Sequence, residues 1–321
     1  MIDALGERLN ALCDAQPFET GWYLKNLATG ETADRRGDVV VPSASTRKIA
    51  IMMAALRAVH AGRLSLDQPV VIQEKFQISD SGCFQLLKPG FTLTLQDVLM
   101  MMMVVSDNTC TGTVVEMLGL DEINEFSRAA GMTGTRHRQP IPAKVDPGAA
   151  AGRMESPDLD AVNVTTPADV GRLLEHILRG ADDAAAAVHL GGTPALCRLA
   201  LHIMSSLLFH DRLPGLLPRG TTVAHKTGTA AHNFNDAGIV FEDGPDFAAS
   251  RPPVWRGAIG REDGGRDRRP LFILAVYTGG VPWVMPDGAP GERAAAHHIA
   301  HLCRTCWDAL KRDEAPAYSG R

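Results

Sequence analysis

After Ser45-Thr-Arg-Lys48 the chain continues Ile-Ala-Ile-Met-Met-Ala-Ala-Leu56 without one polar side chain. A helix over this run is apolar on every side, and such a helix belongs in the middle of a protein rather than on its surface. The rest of the fold must therefore wrap around it. With 321 residues and 45% hydrophobic content, the chain has ample apolar material for a large core.

The segments on either side differ in kind. Residues 1 to 14 have the spacing of a short amphipathic helix, and Gly21 to Leu27 reads as a strand turning at Ala28-Thr-Gly30 into a partner at 31 to 36. Residues 60 to 205 are mostly helical. Thr94 has the place of an N-cap with Asp97 three residues on, opening a helix through four consecutive methionines to Val105. At continuous helical spacing those methionines are core filler. Thr166-Pro167 starts another helix, with the threonine as cap and the proline at the first position, which stops at Gly180. Residues 139 to 162 are rich in Pro, Gly and Ala without a clear period, and read as a long surface loop. Strand-like runs return at Thr221 to His225, Asp236 to Phe241 and Pro270 to Tyr277, and a helix over 292 to 311 closes the chain. This order predicts an α/β fold: an antiparallel sheet flanked by the terminal helices, with an all-helical region inserted between its strands. The expected division is a discontinuous domain of residues 1–59 and 206–321, an inserted helical domain of 60–205, and a site in the cleft between them.

Several function classes are excluded by composition. A net charge of −5 with scattered Lys and Arg gives no footprint for nucleic acid. No window approaches a membrane span, and Met1-Ile-Asp-Ala-Leu-Gly-Glu-Arg8 lacks the features of a signal peptide. The chain as given reads as cytoplasmic, or as periplasmic or secreted if a signal was removed. Six cysteines in a chain of this length do not make a disulfide scaffold. Cys303 and Cys306 have metal-like spacing near His297, His298 and His301. At about 100° per residue, however, both cysteines fall on an apolar stripe with Ala295, Ile299, Leu302 and Leu310, opposite His297 and His301. Ligands that point apart cannot meet on one ion, so no metal and no cofactor is expected.

Three short motifs carry chemistry. In Ser45-Thr-Arg-Lys48, serine and lysine three apart share a helix face, and a desolvated lysine is a base able to take the serine proton. A helix N-terminus at Ser45 favours developing negative charge. In Ser106-Asp107-Asn108, Ser106 is placed to relay a proton and the Asn108 amide to donate to a substrate carbonyl and accept from a lysine. The same three residue types also make ordinary turns. In Lys226-Thr-Gly228-Thr229, at the end of a strand-like run, glycine permits close approach to the backbone, and Lys226 and Thr227 attract a carboxylate. The neighbouring His225 reads as structural.

Taken together and in this order, the motifs resemble those of class A β-lactamases and the wider penicillin-recognising serine hydrolases. The resemblance runs from about residue 8 to 311 and includes Gly62-Arg-Leu-Ser-Leu-Asp-Gln68, Val162-Asn-Val-Thr-Thr-Pro167 and Phe272-Ile-Leu-Ala-Val-Tyr277. It implies a small-molecule, carboxylate-bearing substrate, a β-lactam or similar amide. It implies that Ser45 is acylated, with Lys48 as base or relay, and that Ser106 delivers a proton to the leaving nitrogen. Asn108 would contact the acyl side chain, and the backbone N–H groups of Ser45 and Thr229 would form the oxyanion hole. Lys226, Thr227 and Thr229 would bind the carboxylate.

The sequence departs from the family pattern in the loop that supplies the deacylating glutamate. Glu155 lies near its expected place, but position 159 is leucine where an asparagine is usual. Asp158 and Asp160 are rival acids, Asn163 stands where the family has an aspartate, and Arg47 replaces what is often an apolar residue. Two alternatives therefore stand beside the β-lactam hydrolase: an esterase or amidase acting on a cytoplasmic metabolite, and a penicillin-binding sensor that deacylates slowly.

Overall fold

The computed structural model describes residues 2–78, 81–141, 158–243 and 268–311. The chain opens with α1 (Ile2–Asp14), whose Ile2, Leu5, Leu9 and Cys13 are buried at intervals of three or four along one face. Strand β1 (Glu19–Asn26) then pairs antiparallel with β2 (Thr32–Arg35) across a turn in which Gly30 takes a φ of 78°. The short β3 (Val41–Pro42) leads into a 3₁₀ turn, Ala44–Arg47, and the predicted central helix follows as α2 (Lys48–His60). Every residue of α2 from Lys48 to Leu56 is buried.

The next block is helical, apart from a small hairpin of β4 (Pro69–Val71) with β5 (Thr92–Thr94) and the two-residue β6 (Val164–Thr165), which pairs with β3. Its helices are α3 (Leu95–Val104), α4 (Asn108–Leu118), α5 (Leu120–Ala129), α6 (Pro167–Asp182), α7 (Ala184–His189) and α8 (Pro194–Ser205). The two caps read from the sequence are formed. Thr94 accepts from the Asp97 N–H at 3.1 Å, and Thr166 accepts from the Asp169 N–H at 3.0 Å. One boundary moves: α6 continues past Gly180 to Asp182. Gly180 serves close packing instead of termination, since a Cβ there would lie 2.7 Å from the Cys197 sulfur.

The chain then returns to strands: β7 (Val223–Ala230), β8 (Asn233–Asp243) and β9 (Arg268–Gly279), followed by α9 (Gly291–Leu310). The sheet runs β2-β1-β9-β8-β7, each neighbour antiparallel. Its centre is β9, and this position explains the unbroken apolar run Leu271–Tyr277. Phe272, Leu274 and Val276 face a cluster with Trp22, Leu24, α1 and α9. Ile273, Ala275 and Tyr277 face the other cluster, built from α2 and the helical block. Period-two alternation persists along the strand, but both faces are covered, so both sets are apolar. Cys303 and Cys306 belong to the first cluster as buried thiols, and burial pushes both far up the pH scale. Leu274→Ala is expected to destabilise the fold by about 2–5 kcal/mol, read as a lower urea midpoint at unchanged slope.

At the edge of the sheet lies β7. Its free side runs along the turn that carries Ser45, and Gly228 is the point of contact. A Cβ at Gly228 would sit 3.1 Å from the Ser43 carbonyl oxygen and 3.2 Å from the Ala44 Cβ.

Candidate active site

The turn bearing Ser45 is fixed from several directions. Ala44 holds a φ of 45°, a left-handed conformation rare for a residue with a side chain. The Thr46 hydroxyl donates to the Ser43 carbonyl at 2.6 Å, and the Tyr277 hydroxyl donates to Thr46 at 2.9 Å. Asn235 on β8 donates its amide to the Pro42 carbonyl at 3.1 Å. The glycine of the Lys-Thr-Gly motif thus lets the edge strand close onto the turn that carries Ser45.

Lys48 follows on the first turn of α2 and is 1% exposed. Its ammonium donates to the Ser106 carbonyl at 2.7 Å, to the Asn108 amide oxygen at 2.7 Å and to the Ser106 hydroxyl at 3.1 Å. Burial, reinforced by the positive charges of Lys226 and Arg47, holds its pKa well below the ordinary lysine value, against the opposing pull of Asp107. Lys226 on β7 is fully buried and donates to the same Ser106 hydroxyl at 3.1 Å and to the Thr227 carbonyl at 2.9 Å. Burial lowers its pKa to about 7, although Asp236 pulls it the other way. One hydroxyl therefore bridges two lysines. A neutral lysine has a lone pair, so Ser106 can donate its proton to one amine while accepting from the other.

Ser106 joins α3 to α4 with a φ of 57°. Strain of this kind persists only where the surroundings over-determine it. Here the Ser106 carbonyl accepts from both Lys48 and the Ser81 hydroxyl, the latter at 2.8 Å. Asp107 caps α4 by accepting from the Cys110 N–H at 3.0 Å, and it also accepts from the Phe84 N–H at 2.8 Å. Ser-Asp-Asn is thus both the turn its composition suggests and the segment that places the Ser106 and Asn108 side chains against Lys48.

Hydrogen bonds join Lys48, Ser106, Asn108 and Lys226, while Thr227 and Thr229 follow Lys226 on β7 and Ser45 lies on the turn against which Gly228 packs. Two contributors went unread in the sequence. Ser81 lies in an irregular segment without a motif. Arg212 lies between α8 and β7, is buried, and donates to the carbonyls of Gly228 and Asn235 at 2.7 Å each and to the Thr229 hydroxyl at 2.6 Å. In the sequence, one arginine in a loop carries no periodic signal. His225 has a structural setting, its Nδ1 lying 2.9 Å and 3.0 Å from the two oxygens of buried Asp236.

The loop acids divide. Glu155 lies outside the described residues. Asp158 and Asp160 are exposed, and Asp160 approaches Arg138 at 3.6 Å. Asn163 acts as a junction: its amide oxygen accepts from the N–H groups of Arg138 and Gln139, and its carbonyl accepts from the Ser43 N–H and hydroxyl. Among the described residues no group of His, Cys, Asp and Glu is arranged to hold a metal ion, and no helix is long and apolar enough to cross a membrane.

A serine at a strained turn, a buried lysine one helical turn on, and a second serine shared between two lysines define a serine hydrolase of the penicillin-recognising kind. The sequence profile of the Beta-lactamase enzyme family matches residues 4–250, and the chain belongs to that family. It is a serine β-lactamase-like hydrolase with the class A fold. The β-lactamase VEB-1 of Pseudomonas aeruginosa is 24% identical over 247 residues, covering 74% of this chain and 78% of that protein. Among solved structures, PBP-A superimposes with a TM-score of 0.72 at 25% identity, covering 95% of each chain. A PBP-A variant solved as an acyl-enzyme complex with penicillin G gives 0.71 at 25% identity over 96% of each chain. A β-lactamase from Sphaerobacter thermophilus gives 0.72 at 22% identity, covering 95% of this chain and 97% of its own.

Proposed function

We propose that this enzyme opens a carboxylate-bearing β-lactam, or a comparable amide, through an acyl-enzyme on Ser45. Lys48 in its neutral form takes the Ser45 proton as the hydroxyl oxygen attacks the substrate carbonyl carbon. The oxyanion so formed is held by the backbone N–H groups of Ser45 and Thr229, each worth about 2.7–4 kcal/mol in the transition state. The carbon–nitrogen bond then breaks, the proton passes from Lys48 through the Ser106 hydroxyl to the leaving nitrogen, and an ester remains on Ser45. Water attacks that ester, releasing the ring-opened acid and returning the proton to Ser45. Asn108 orients the acyl side chain. Lys226, Thr227 and Thr229 receive the substrate carboxylate, with Arg212 holding the Thr229 hydroxyl.

The reading is carried by a single observation, the Ser106 hydroxyl at 3.1 Å from both Lys48 and Lys226. A relay between a base and a leaving group needs this placement, and packing alone gives no reason to bury two amines against one hydroxyl. We also propose the division into residues 1–59 with 206–321 and residues 60–205, with substrate entering between them. The test is a time course of intact mass and substrate loss with a penicillin, on the wild type and Ser45→Ala. Rapid loss that vanishes in the variant is expected. A stable adduct on Ser45 would instead mark slow deacylation. Neither loss nor adduct would overturn the β-lactam substrate.

A further inference from the structure

Two buried lysines lie 3.1 Å from one hydroxyl, and the reaction needs them in opposite states: Lys48 neutral to take a proton, Lys226 charged to receive a carboxylate. Like charges on one site disfavour each other, and the surroundings decide which amine keeps the proton. Each lysine has a buried acid on its own side. For Lys48 the acid is Asp107, but buried Arg47 stands there as a second cation, its guanidinium donating to the Gln139 carbonyl at 2.6 Å.

For Lys226 the acid is Asp236. It opposes Thr227 in the β7–β8 ladder, one residue along from Lys226, and is fully buried. Its carboxylate accepts from the Leu213 N–H at 3.0 Å and lies 2.9 Å and 3.0 Å from the Nδ1 of buried His225. A ring nitrogen turned to a carboxylate carries a hydrogen, so His225 donates whether neutral or charged. The same corner holds Arg212, exposed Asp211 and Glu292, His210 with its ring 6.3 Å from that of His225, the Tyr277 phenol on β9 and the Cys303 thiol on α9. Asp236 favours the charged form of Lys226, and Arg212 opposes it.

Asparagine at 236 would accept the same hydrogen bonds without a buried charge, so hydrogen bonding alone does not explain an aspartate here. We infer that Asp236, clamped by His225, is a positioning residue that keeps the positive charge of the two-lysine site on Lys226, where the substrate carboxylate binds. The inference rests on the assignment of Lys226 to that carboxylate.

The test compares a penicillin with its methyl ester, the same ring system with the carboxylate masked, across the neutral pH range. Effects on Ser106 are shared by both substrates and cancel in the ratio of their kcat/KM values, as does any inactive protein. In the wild type this ratio should fall as pH rises through about 7. In Asp236→Asn the fall should come about one pH unit lower, the small end of what an opposite charge does, leaving the ratio about fivefold below wild type at the wild-type midpoint and equal to it in acid. A merely structural injury would not move the midpoint. His225→Asn, whose amide nitrogen replaces Nδ1 as donor and leaves the carboxylate in place, should keep the wild-type midpoint. Should Asp236→Asn give no active enzyme, Asp236→Ser is read in the same way. An unmoved midpoint in the uncharged variant, or an equal move in His225→Asn, would overturn the inference alone. No preference for the unmasked penicillin in the wild type at any pH would overturn the carboxylate reading of Lys226 itself, and this inference with it.

Discussion

Lys48→Ala is expected to slow acylation of Ser45 by about 10²–10⁴-fold, the usual contribution of a positioned general base, with the fold intact. The expectation comes from the lysine's setting. Three hydrogen bonds fix its amine at the Ser106 carbonyl, the Ser106 hydroxyl and Asn108, so it cannot swing to solvent to hold a charge. Burial and two neighbouring cations disfavour the protonated form, and a neutral amine is what a base requires. The acylation rate should therefore rise with pH through the lowered Lys48 pKa and level off above it. Full acylation by Lys48→Ala would eliminate the assigned role.

Stability should carry the same signature with a definite sign. Between the lowered native value and the ordinary 10.5, the unfolded chain holds a proton on Lys48 that the native protein lacks. Stability from this group thus rises with pH across that window, and the native penalty is greatest below it. Lys48→Met, close in shape and free of charge, should be more stable than wild type at lower pH, and the gap should close towards alkaline pH. A pH-independent difference between urea midpoints would contradict the depressed lysine.

The parts of this molecule legible in the sequence are those whose physics is local or periodic. The apolar run after Lys48 has one solution, a helix covered on all sides, and α2 is that helix. The caps at Thr94 and Thr166 are chemistry over three residues, and the alternation hidden in Leu271–Tyr277 becomes intelligible once both faces of β9 are covered. Gly180 was misleading because a glycine that ends a helix and one that admits a neighbouring sulfur look the same in sequence. Arg212 and Ser81 could not be found, since their partners lie on other elements and no spacing links them. Arg47 was visible as an anomaly within its motif, but its direction was not. A long side chain can turn outward to water, and only the packing of residues 136–141 over the turn directs it inward.

Lys226→Ala should separate substrates by charge. A charge-assisted contact to the substrate carboxylate is worth about 1.5–3 kcal/mol, so kcat/KM for a penicillin should fall by about 10–150-fold from this term. An uncharged ester or lactone lacks the term and should lose only what Lys226 contributes through Ser106, which both substrates share. The ratio of the two losses therefore isolates carboxylate recognition from proton relay. The wild type makes the same distinction by pH. Because burial brings Lys226 to about 7, its charge is present below that pH and is lost as pH rises through it. In the free enzyme, the ratio of kcat/KM for the carboxylate-bearing substrate to that for the neutral one should fall as pH rises through about 7, since the effects through Lys48 and Ser106 are shared by both. Arg212, which stays charged across this range and holds Thr229 at 2.6 Å, should leave residual carboxylate preference in Lys226→Ala. That residue should disappear in the double variant with Arg212→Ala. Equal losses for charged and neutral substrates, with parallel pH profiles, would remove Lys226 from carboxylate binding and leave it only the task of holding Ser106.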